Sequence, residues 1–306
     1  MDLGRNGSGR REGVSGVLNV DKPSGPTSHD VVARVRRLAG QRRVGHAGTL
    51  DPLATGVLVV CLGKATRLVE YLTDLDKVYR ATIRLGVTTD TWDVDGEVLE
   101  ERDAAGISRE DVAALLPEFQ GRIAQVPPMY SALKRGGQPL YRLARQGISV
   151  EREPREVEIH ALTLEAWSPP EMVLHVRCGK GAYIRSLAHD LGQRLGVGAH
   201  IAALRRLAVG HFSAGDAVAL EDLEAAGEGW TQRLLSPAVA LRHLPSVVLD
   251  AEDVRRAQHG GTVVIDAAPA GALVCAYDGA GRLIAMLRPA DGTGAWRPDK
   301  VLESAG

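Results

Sequence analysis

The 306-residue chain carries 37 Lys/Arg against 38 Asp/Glu, with 44% hydrophobic and 25% charged residues. This is the balance of an ordinary globular protein with room for one large domain and a small one. No apolar run approaches the roughly 20 residues that cross a bilayer. The three cysteines, Cys61, Cys178 and Cys275, lie too far apart for a disulfide framework or a CxxC metal pair, which points to a reducing cytoplasm.

A formal net charge of -1 disfavours a nucleic-acid partner only if the charge is spread evenly, and it is not. There are six Lys/Arg against two Asp/Glu from Val20 to Gly48, and six against one from Arg177 to Arg206. From Asp90 to Glu118 there are two against ten. Such segregation predicts a basic face available to phosphates.

Residues 1–13 are Gly/Arg/Ser-rich and read as a disordered tail. An apolar run, Gly16 to Asp21, ends in the rigid loop Lys22-Pro-Ser-Gly-Pro. Thr27 or Ser28 can cap the helix that follows, whose buried stripe is Val31, Val32, Val35 and Leu38. Lys22 is a candidate phosphate contact, a support for the next loop, or a plain solvated lysine. That next loop, Val44 to Gly56, runs into the apolar stretch Val57 to Leu62. Within it Pro52 stiffens the backbone beside Asp51, while Gly45, Gly48 and Gly56 leave it permissive. On spacing alone this is either an Asp-Pro turn or a carboxylate held at the end of a buried strand.

The sequence Gly-His-Ala-Gly-Thr-Leu-Asp-Pro-Leu-Ala-Thr-Gly, residues 45–56, closely resembles the catalytic motif of the TruB-type tRNA pseudouridine synthases, which isomerise uridine 55 in the T-loop. The resemblance implies that Asp51 is the nucleophile and that His46 lies beside the target base.

Lys64 to Leu75 has helical spacing. From Lys77 the pattern alternates, with Tyr79, Ala81, Ile83 and Leu85 on one face and Arg80, Thr82 and Arg84 on the other. An inward tyrosine at a strand end is commonly core; the Lys-x-Tyr-Arg pattern resembles the family's base-stacking tyrosine. Thr88 to Gly96 has spaced aspartates but no glutamate closing a calcium loop, so it reads as an acidic solvated turn. Ser108 and Asp111 form a capping-box pattern for a helix through Leu116.

Between Pro127 and Gln146, Lys134, Arg135, Arg142 and Arg145 interleave with Tyr130 and Tyr141. This is a moderate nucleic-acid signal on its own. In the family the matching segment is a thumb-like insertion beside the T-loop. Val157–Trp167 and Met172–Cys178 read as a hairpin turning at Ser168-Pro-Pro. Gly179-Lys-Gly before a helix does not fit the Walker pattern. Lys-Gly-x-Tyr-Ile-Arg does resemble the family's second motif, which carries over Tyr183 and Arg185. Gly198 to Leu207 resembles the third, with Leu204 as an apolar wall against the uracil. Past Leu244, short β-type runs broken by Gly260-Gly, Pro269-Ala-Gly and Asp278-Gly predict a small all-β module. It resembles a PUA-type RNA-binding domain.

The expectation is an α+β protein around a mixed, largely antiparallel central sheet with flanking helices. Residues 14–245 would form the catalytic domain, with 127–146 as its RNA-binding insertion and 246–306 as the PUA-like module. Pseudouridylation breaks the ribose–N1 bond and rejoins the base through C5 without redox change, so it needs no metal and no cofactor. Asp51, Tyr79 and Arg185 are the expected catalytic residues, with Arg185 the partner that aims Asp51. His46, Tyr79, Tyr183, Leu204, Lys22 and Lys134 are expected to contact the substrate. The expected partner is the T-arm stem-loop of tRNA, met by a cytoplasmic monomer needing no membrane and no protein partner. A guide-RNA-dependent rRNA pseudouridine synthase and a non-catalytic tRNA-folding chaperone are the alternatives.

Overall fold

The computed structural model describes residues 13–265, 273–291 and 294–303. The tail expected over 1–13 lies outside these up to residue 12, and so does the Pro269-Ala-Gly break. Strand β1 (Gly16–Lys22) leads through a proline-rich loop into helix α1 (Ser28–Leu38). Thr27 fixes the helix start. Its hydroxyl accepts from the Asp30 amide and the Asp30 carboxylate accepts from the Thr27 amide. Strands β2 (Val44–His46) and β3 (Thr55–Leu62) bracket the Asp51 loop.

The single helix expected over Lys64–Leu75 is instead a 3₁₀ turn, Gly63–Leu68, followed by α2 (Val69–Thr73). The Thr66 hydroxyl turns back onto the Gly63 carbonyl (2.8 Å) and Thr73 onto that of Val69 (2.7 Å), competing with a continuous helical ladder. Strand β4 (Lys77–Leu85) keeps the expected parity: Tyr79, Ala81, Ile83 and Leu85 are all buried. A hairpin of β5 (Val87–Thr89) and β6 (Val98–Glu101) follows, then α3 (Arg109–Leu115), capped by Ser108 and Asp111. Next come β7 (Gly121–Gln125), the two-residue strands β8 (Lys134–Arg135) and β9 (Gln138–Pro139), and α4 (Leu140–Ala144). The long hairpin β10 (Arg155–Ser168) and β11 (Glu171–Cys178) leads to α5 (Ile184–Arg194) and β12 (Ala199–Val209). Strands β13 (Phe212–Ser213) and β14 (Val218–Ala219) and helices α6 (Leu220–Ala225) and α7 (Pro237–Ala240) complete this part.

The main sheet runs β14-β1-β3-β12-β4-β11-β10-β7, with β2 on β3 and β13 on β12. Only the β1–β14 and β3–β12 pairs are parallel. Its long central strands explain why Val57–Leu62 is continuously apolar rather than alternating. Leu58, Val60 and Leu62 face one core with α1 and α5, whereas Val57, Val59 and Cys61 face a second with Leu68, Tyr71 and Leu72. A strand buried on both faces leaves no position for a polar side chain.

The C-terminal segment forms a five-stranded sheet, β15 (Ser246–Val248), β17 (Val274–Tyr277), β18 (Leu283–Pro289), β19 (Ala295–Val301) and β16 (Val263–Val264) in spatial order, with α8 (Ala251–Gln258) inserted after β15. The all-β expectation therefore misses α8. Asp250 caps that helix through the amides of Glu252 and Asp253, and Ala257 and Val254 meet the sheet. This small sheet is not a bead on a tether. Cys275, Leu283, Met286 and Leu302 enter the second core, and the Tyr71 hydroxyl donates to Asp299 at 2.8 Å.

Candidate active site

The loop from Gly48 to Pro52 is held by its backbone, so none of these contacts uses the Asp51 side chain. The Arg206 guanidinium donates to the carbonyls of Gly48 (3.1 Å), Thr49 (3.3 Å) and Val57 (2.7 Å). The Ser28 hydroxyl donates to the Leu50 carbonyl (3.0 Å) and accepts from the Leu50 amide (2.8 Å). The Pro52 carbonyl accepts from Lys22 Nζ (3.1 Å) and from the Gly25 amide (2.9 Å). Gly56 makes the close passage of β3 along β12 possible. Its φ is +102°, and a Cβ there would lie 2.1 Å from the Arg206 carbonyl oxygen.

Arg185, in the first turn of α5, reaches Asp51 from the opposite wall. Nη2 donates to Asp51 Oδ1 at 2.9 Å, and Nε stands 2.8 Å from Oδ2 as an ion contact not aligned for a hydrogen bond. The same guanidinium donates to the carbonyls of Thr91 (3.0 Å) and Tyr130 (2.7 Å), and Nη1 lies 3.4 Å from Asp93 Oδ2. Arg185 is 3% exposed, so these oxygens replace water as its solvation shell.

The turn carrying Asp93 is not the solvated acidic loop expected from Thr88–Gly96. Thr88, Thr89 and Asp93 are buried. Asp93 accepts from the Thr91 hydroxyl (2.6 Å) and the Asp95 amide (3.2 Å), and Val94 donates to the Ile201 carbonyl of β12. Trp92, at φ +61°, stacks on His189 of α5 (4.2 Å, 11°). Burial pushes the Asp93 carboxyl above its ordinary pKa, opposed by the Thr91 hydroxyl and Arg185.

Asp51 and Arg185 open onto a cavity of about 250 Å³ lined also by Lys77, Tyr79, Tyr183, Leu204 and Arg206. Register explains this wall. Arg206 of β12 pairs with both Tyr79 of β4 and Gly56 of β3, and Leu204 pairs with Ala81. Residues two apart on a strand share a face, so Leu204 and Arg206 stand beside Tyr79 and Lys77. Burial raises the Tyr79 hydroxyl above its usual pKa, with the Arg206 guanidinium opposing. Tyr183 precedes α5 and is clamped by Gln125, which accepts from its amide (3.0 Å) and donates to its carbonyl (3.3 Å).

The cavity thus gathers Asp51, Tyr79, Arg185, Tyr183 and Leu204. His46 pairs opposite Val60 and is not among the lining residues. It is partly buried, and burial followed by the Arg206 charge lowers its pKa. Lys134 is exposed on the β8–β9 hairpin, beyond the lining residues Ser131 and Ala132. The expectation that Lys22 contacts substrate is corrected. Lys22 is fully buried, and its ammonium donates to the carbonyls of Pro23, Pro26 and Pro52, so it braces the Asp51 loop.

The cations of Arg177–Arg206 do not form a cluster of unpaired charges. Arg177 pairs with Asp76, Lys180 with Asp74, Arg185 with Asp51, Arg194 with Glu118 and Arg205 with Asp21, while Arg206 is buried. Sequence distance conceals the carboxylates that the fold brings to these cations. Neither Arg206, which holds the Asp51 loop, nor Asp93, which faces Arg185, is singled out by the sequence pattern. Arg206 was accessible through its strand parity with Leu204. Asp93 had no periodic signal at all.

Comparison with known proteins adds independent findings. Residues 36–184 match the family model "TruB family pseudouridylate synthase (N terminal domain)", and residues 185–254 match "tRNA pseudouridylate synthase B C-terminal domain". A tRNA pseudouridine synthase B of Dehalococcoides mccartyi is 46% identical over 94% of this chain and 96% of its own length. One from Symbiobacterium thermophilum is 53% identical over 81% of this chain and 82% of its own. Among solved structures, a chain of a Cbf5-Nop10-Gar1 complex matches 94% of this chain and 85% of its own, with TM-score 0.73 and 28% identity.

Proposed function

Because the chain belongs to the TruB family and is a tRNA pseudouridine synthase, we propose that it isomerises uridine 55 of the T-loop with Asp51 as nucleophile. The observation that carries this reading is the Asp51–Arg185 pair opening onto a cavity walled by Tyr79 and Leu204. A cavity of about 250 Å³ falls just below the roughly 300–1,000 Å³ usual for ligand clefts. It suits one extruded nucleoside and excludes a duplex, so the target leaves its stack before reaction.

In the proposed sequence Arg185 aims the carboxylate, Asp51 bonds to ribose C1′, and the bond from C1′ to uracil N1 breaks with its electron pair staying on the base. The base turns between Tyr79 and Leu204, and C1′ bonds to C5 as its bond to Asp51 breaks. C5 then loses its proton and N1 gains one, leaving the atoms of uridine rearranged and nothing added. Tyr79 stacks on the base, and its hydroxyl passes its own proton to N1 as it takes the one from C5, ending neutral as it began. Tyr183 closes the far wall, and His46 supports the loop from β2.

Residues 14–245 act as the catalytic domain and 246–306 as a PUA-like RNA-binding module. The hairpin and helix within 127–146 grip the T-arm through Lys134 and Arg142. The enzyme works as a cytoplasmic monomer on tRNA without a guide or protein partner. The solved chain from a Cbf5-Nop10-Gar1 complex is 28% identical and comes from an assembly with other proteins. The higher identity to tRNA pseudouridine synthase B over nearly the full length favours the stand-alone reading.

The test is tritium release from a T-arm stem-loop labelled at C5 of uridine 55 alone, with no guide and no cofactor. Stoichiometric release supports the assignment. No release from that position, or release only when another uridine is labelled, sinks it.

A further inference from the structure

β4 presents two successive inward side chains to the cavity, Tyr79 and Lys77, and the mechanism above uses only Tyr79. Lys77 is 6% exposed and lines the same cavity as Asp51 and Leu204. An ammonium has three donors. Among the described residues Lys77 Nζ gives one hydrogen bond, to the Thr73 carbonyl. The carboxylates whose charge reaches it are engaged elsewhere. Asp74 is held by Lys180 at 2.9 Å, and Asp76 by Arg177 at 2.8 Å and His160 at 3.1 Å. Its other titratable neighbours are Arg206, a cation, and Cys178, whose thiol burial keeps protonated and neutral. A buried cation with donors to spare and no anion of its own is costly unless a ligand supplies the charge.

Spacing says where that charge sits on a bound nucleotide. Side chains two residues apart on one strand face stand about 6.5–7 Å apart along the strand. A nucleotide whose base lies on the Tyr79 ring carries its phosphates one ribose away, a matching step. Lys180, also at the cavity wall, is neutralised by Asp74, which leaves Lys77 as the cation without a paired carboxylate there.

We propose that Lys77 binds a phosphodiester flanking the flipped uridine, so that the cavity reads the nucleotide's backbone as well as its base. This rests on the reading of the cavity as the uridine pocket. Burial, and then the Arg206 charge, lower the Lys77 pKa to about 8. The group is therefore still mainly protonated at neutral pH, and an arriving phosphate favours that form further.

The experiment uses T-arm stem-loops in which one methylphosphonate replaces the linkage 5′ or 3′ of the target uridine, removing one charge. Dissociation constants and single-turnover rates are measured for wild-type enzyme, Lys77→Met and Lys77→Arg. Wild type is expected to lose roughly tenfold in affinity at one of the two linkages. Lys77→Met should show the same loss on unmodified RNA and no further loss with the neutral linkage. Its salt slope should fall by about one. Lys77→Arg should keep the sensitivity to the neutral linkage.

Indifference of the wild type to both neutral linkages would overturn the proposal, and this arm stands even where Lys77→Met does not fold. Fully additive losses, with tritium release from unmodified RNA intact, would also overturn it by placing Lys77 on the base or in packing. Absence of wild-type release would instead count against the uridine-pocket reading itself.

Discussion

Asp93 Oδ2 lies 3.4 Å from Arg185 Nη1, on a different edge of the guanidinium from Asp51, with side-chain exposures of 7% and 4%. One cation therefore stands between two carboxylates. Removing the rear charge shifts the balance of Arg185 toward Asp51 and leaves a buried cation short of a counterion. Asp93→Asn keeps the Thr91 contact and loses that charge. Single-turnover isomerisation should fall by about tenfold or more, ~1.4 kcal/mol in barrier, with T-arm binding little changed. A wild-type rate in the Asn variant would reduce Asp93 to local packing.

Asp51→Asn tests the proposed nucleophile with minimal change of shape. Because the loop is held through backbone carbonyls of Gly48, Thr49, Leu50 and Pro52, the substitution should leave its path intact. Turnover should vanish while tRNA affinity stays within roughly tenfold, ~1.4 kcal/mol. Turnover by the variant, with deamidation checked by mass, would remove Asp51 from that role.

Lys22→Met separates bracing from RNA contact. Loss of the ammonium leaves the Pro23 and Pro26 carbonyls without this donor and the Pro52 carbonyl with the Gly25 amide alone. Stability should drop by about 2–4 kcal/mol and turnover should fall as the loop loosens. The dependence of tRNA affinity on salt should not move. A salt slope lowered by about one would restore Lys22 as a phosphate contact.

The β4 face and the two helix caps were legible because they rest on local periodicity and capping chemistry. Tyr79, Ala81, Ile83 and Leu85 alternate, and Thr27 and Ser108 each stand three residues before an aspartate. The meeting of Asp51 with Arg185 across 134 positions was legible only through motif resemblance. Neither periodicity nor resemblance reaches the other ion pairs between distant segments. Lys180 counts toward the basic excess of Arg177–Arg206 until Asp74 is seen beside it, and Asp93 reads as solvated until α5 covers it. The α8 helix was missed because eight polar-rich residues between short strands give little apolar stripe.

Stability should rise with pH on the alkaline side of neutrality. Burial, the leading cause, lowers both Lys22 and Lys77 from 10.5 to about 8. The unfolded chain then binds more protons than the folded one between about 8 and about 10.5, so ΔG of unfolding increases with pH there. Asp51 attenuates the shift at Lys22, and Arg206 adds to it at both lysines. Buried Cys61 and Cys178, raised from 9.0 to about 12, act in the opposite sense once pH passes 9.0. Melting temperature should therefore climb from pH of about 7.5 to about 9 and flatten or fall beyond. A monotonic fall across that first interval would contradict the buried-lysine assignment, and Lys22→Met should show a shallower climb.

Tyr79 carries two proposed jobs that one oxygen atom separates. Its ring lines the cavity at 7% exposure beside Leu204, and its strand neighbour across β12 is Arg206. Stacking needs only the ring, whereas taking the C5 proton needs the hydroxyl within hydrogen-bond reach. Burial raises the phenol's pKa and Arg206 opposes that rise, so the guanidinium favours charge on the oxygen when the phenol gives up its own proton. Tyr79→Phe should preserve T-arm binding and block the final proton loss, trapping RNA in which the base has already been detached or turned. Tyr79→Leu should lose both functions, with stacking contributing ~1–3 kcal/mol to binding. A tyrosine that served only to fill the core predicts the reverse: Phe nearly silent in turnover, Leu lowering the melting temperature. Single-turnover assays of Tyr79→Phe beside a thermal melt distinguish these outcomes. Wild-type turnover by the Phe variant would end the proton-transfer role and leave the ring as the residue's whole contribution.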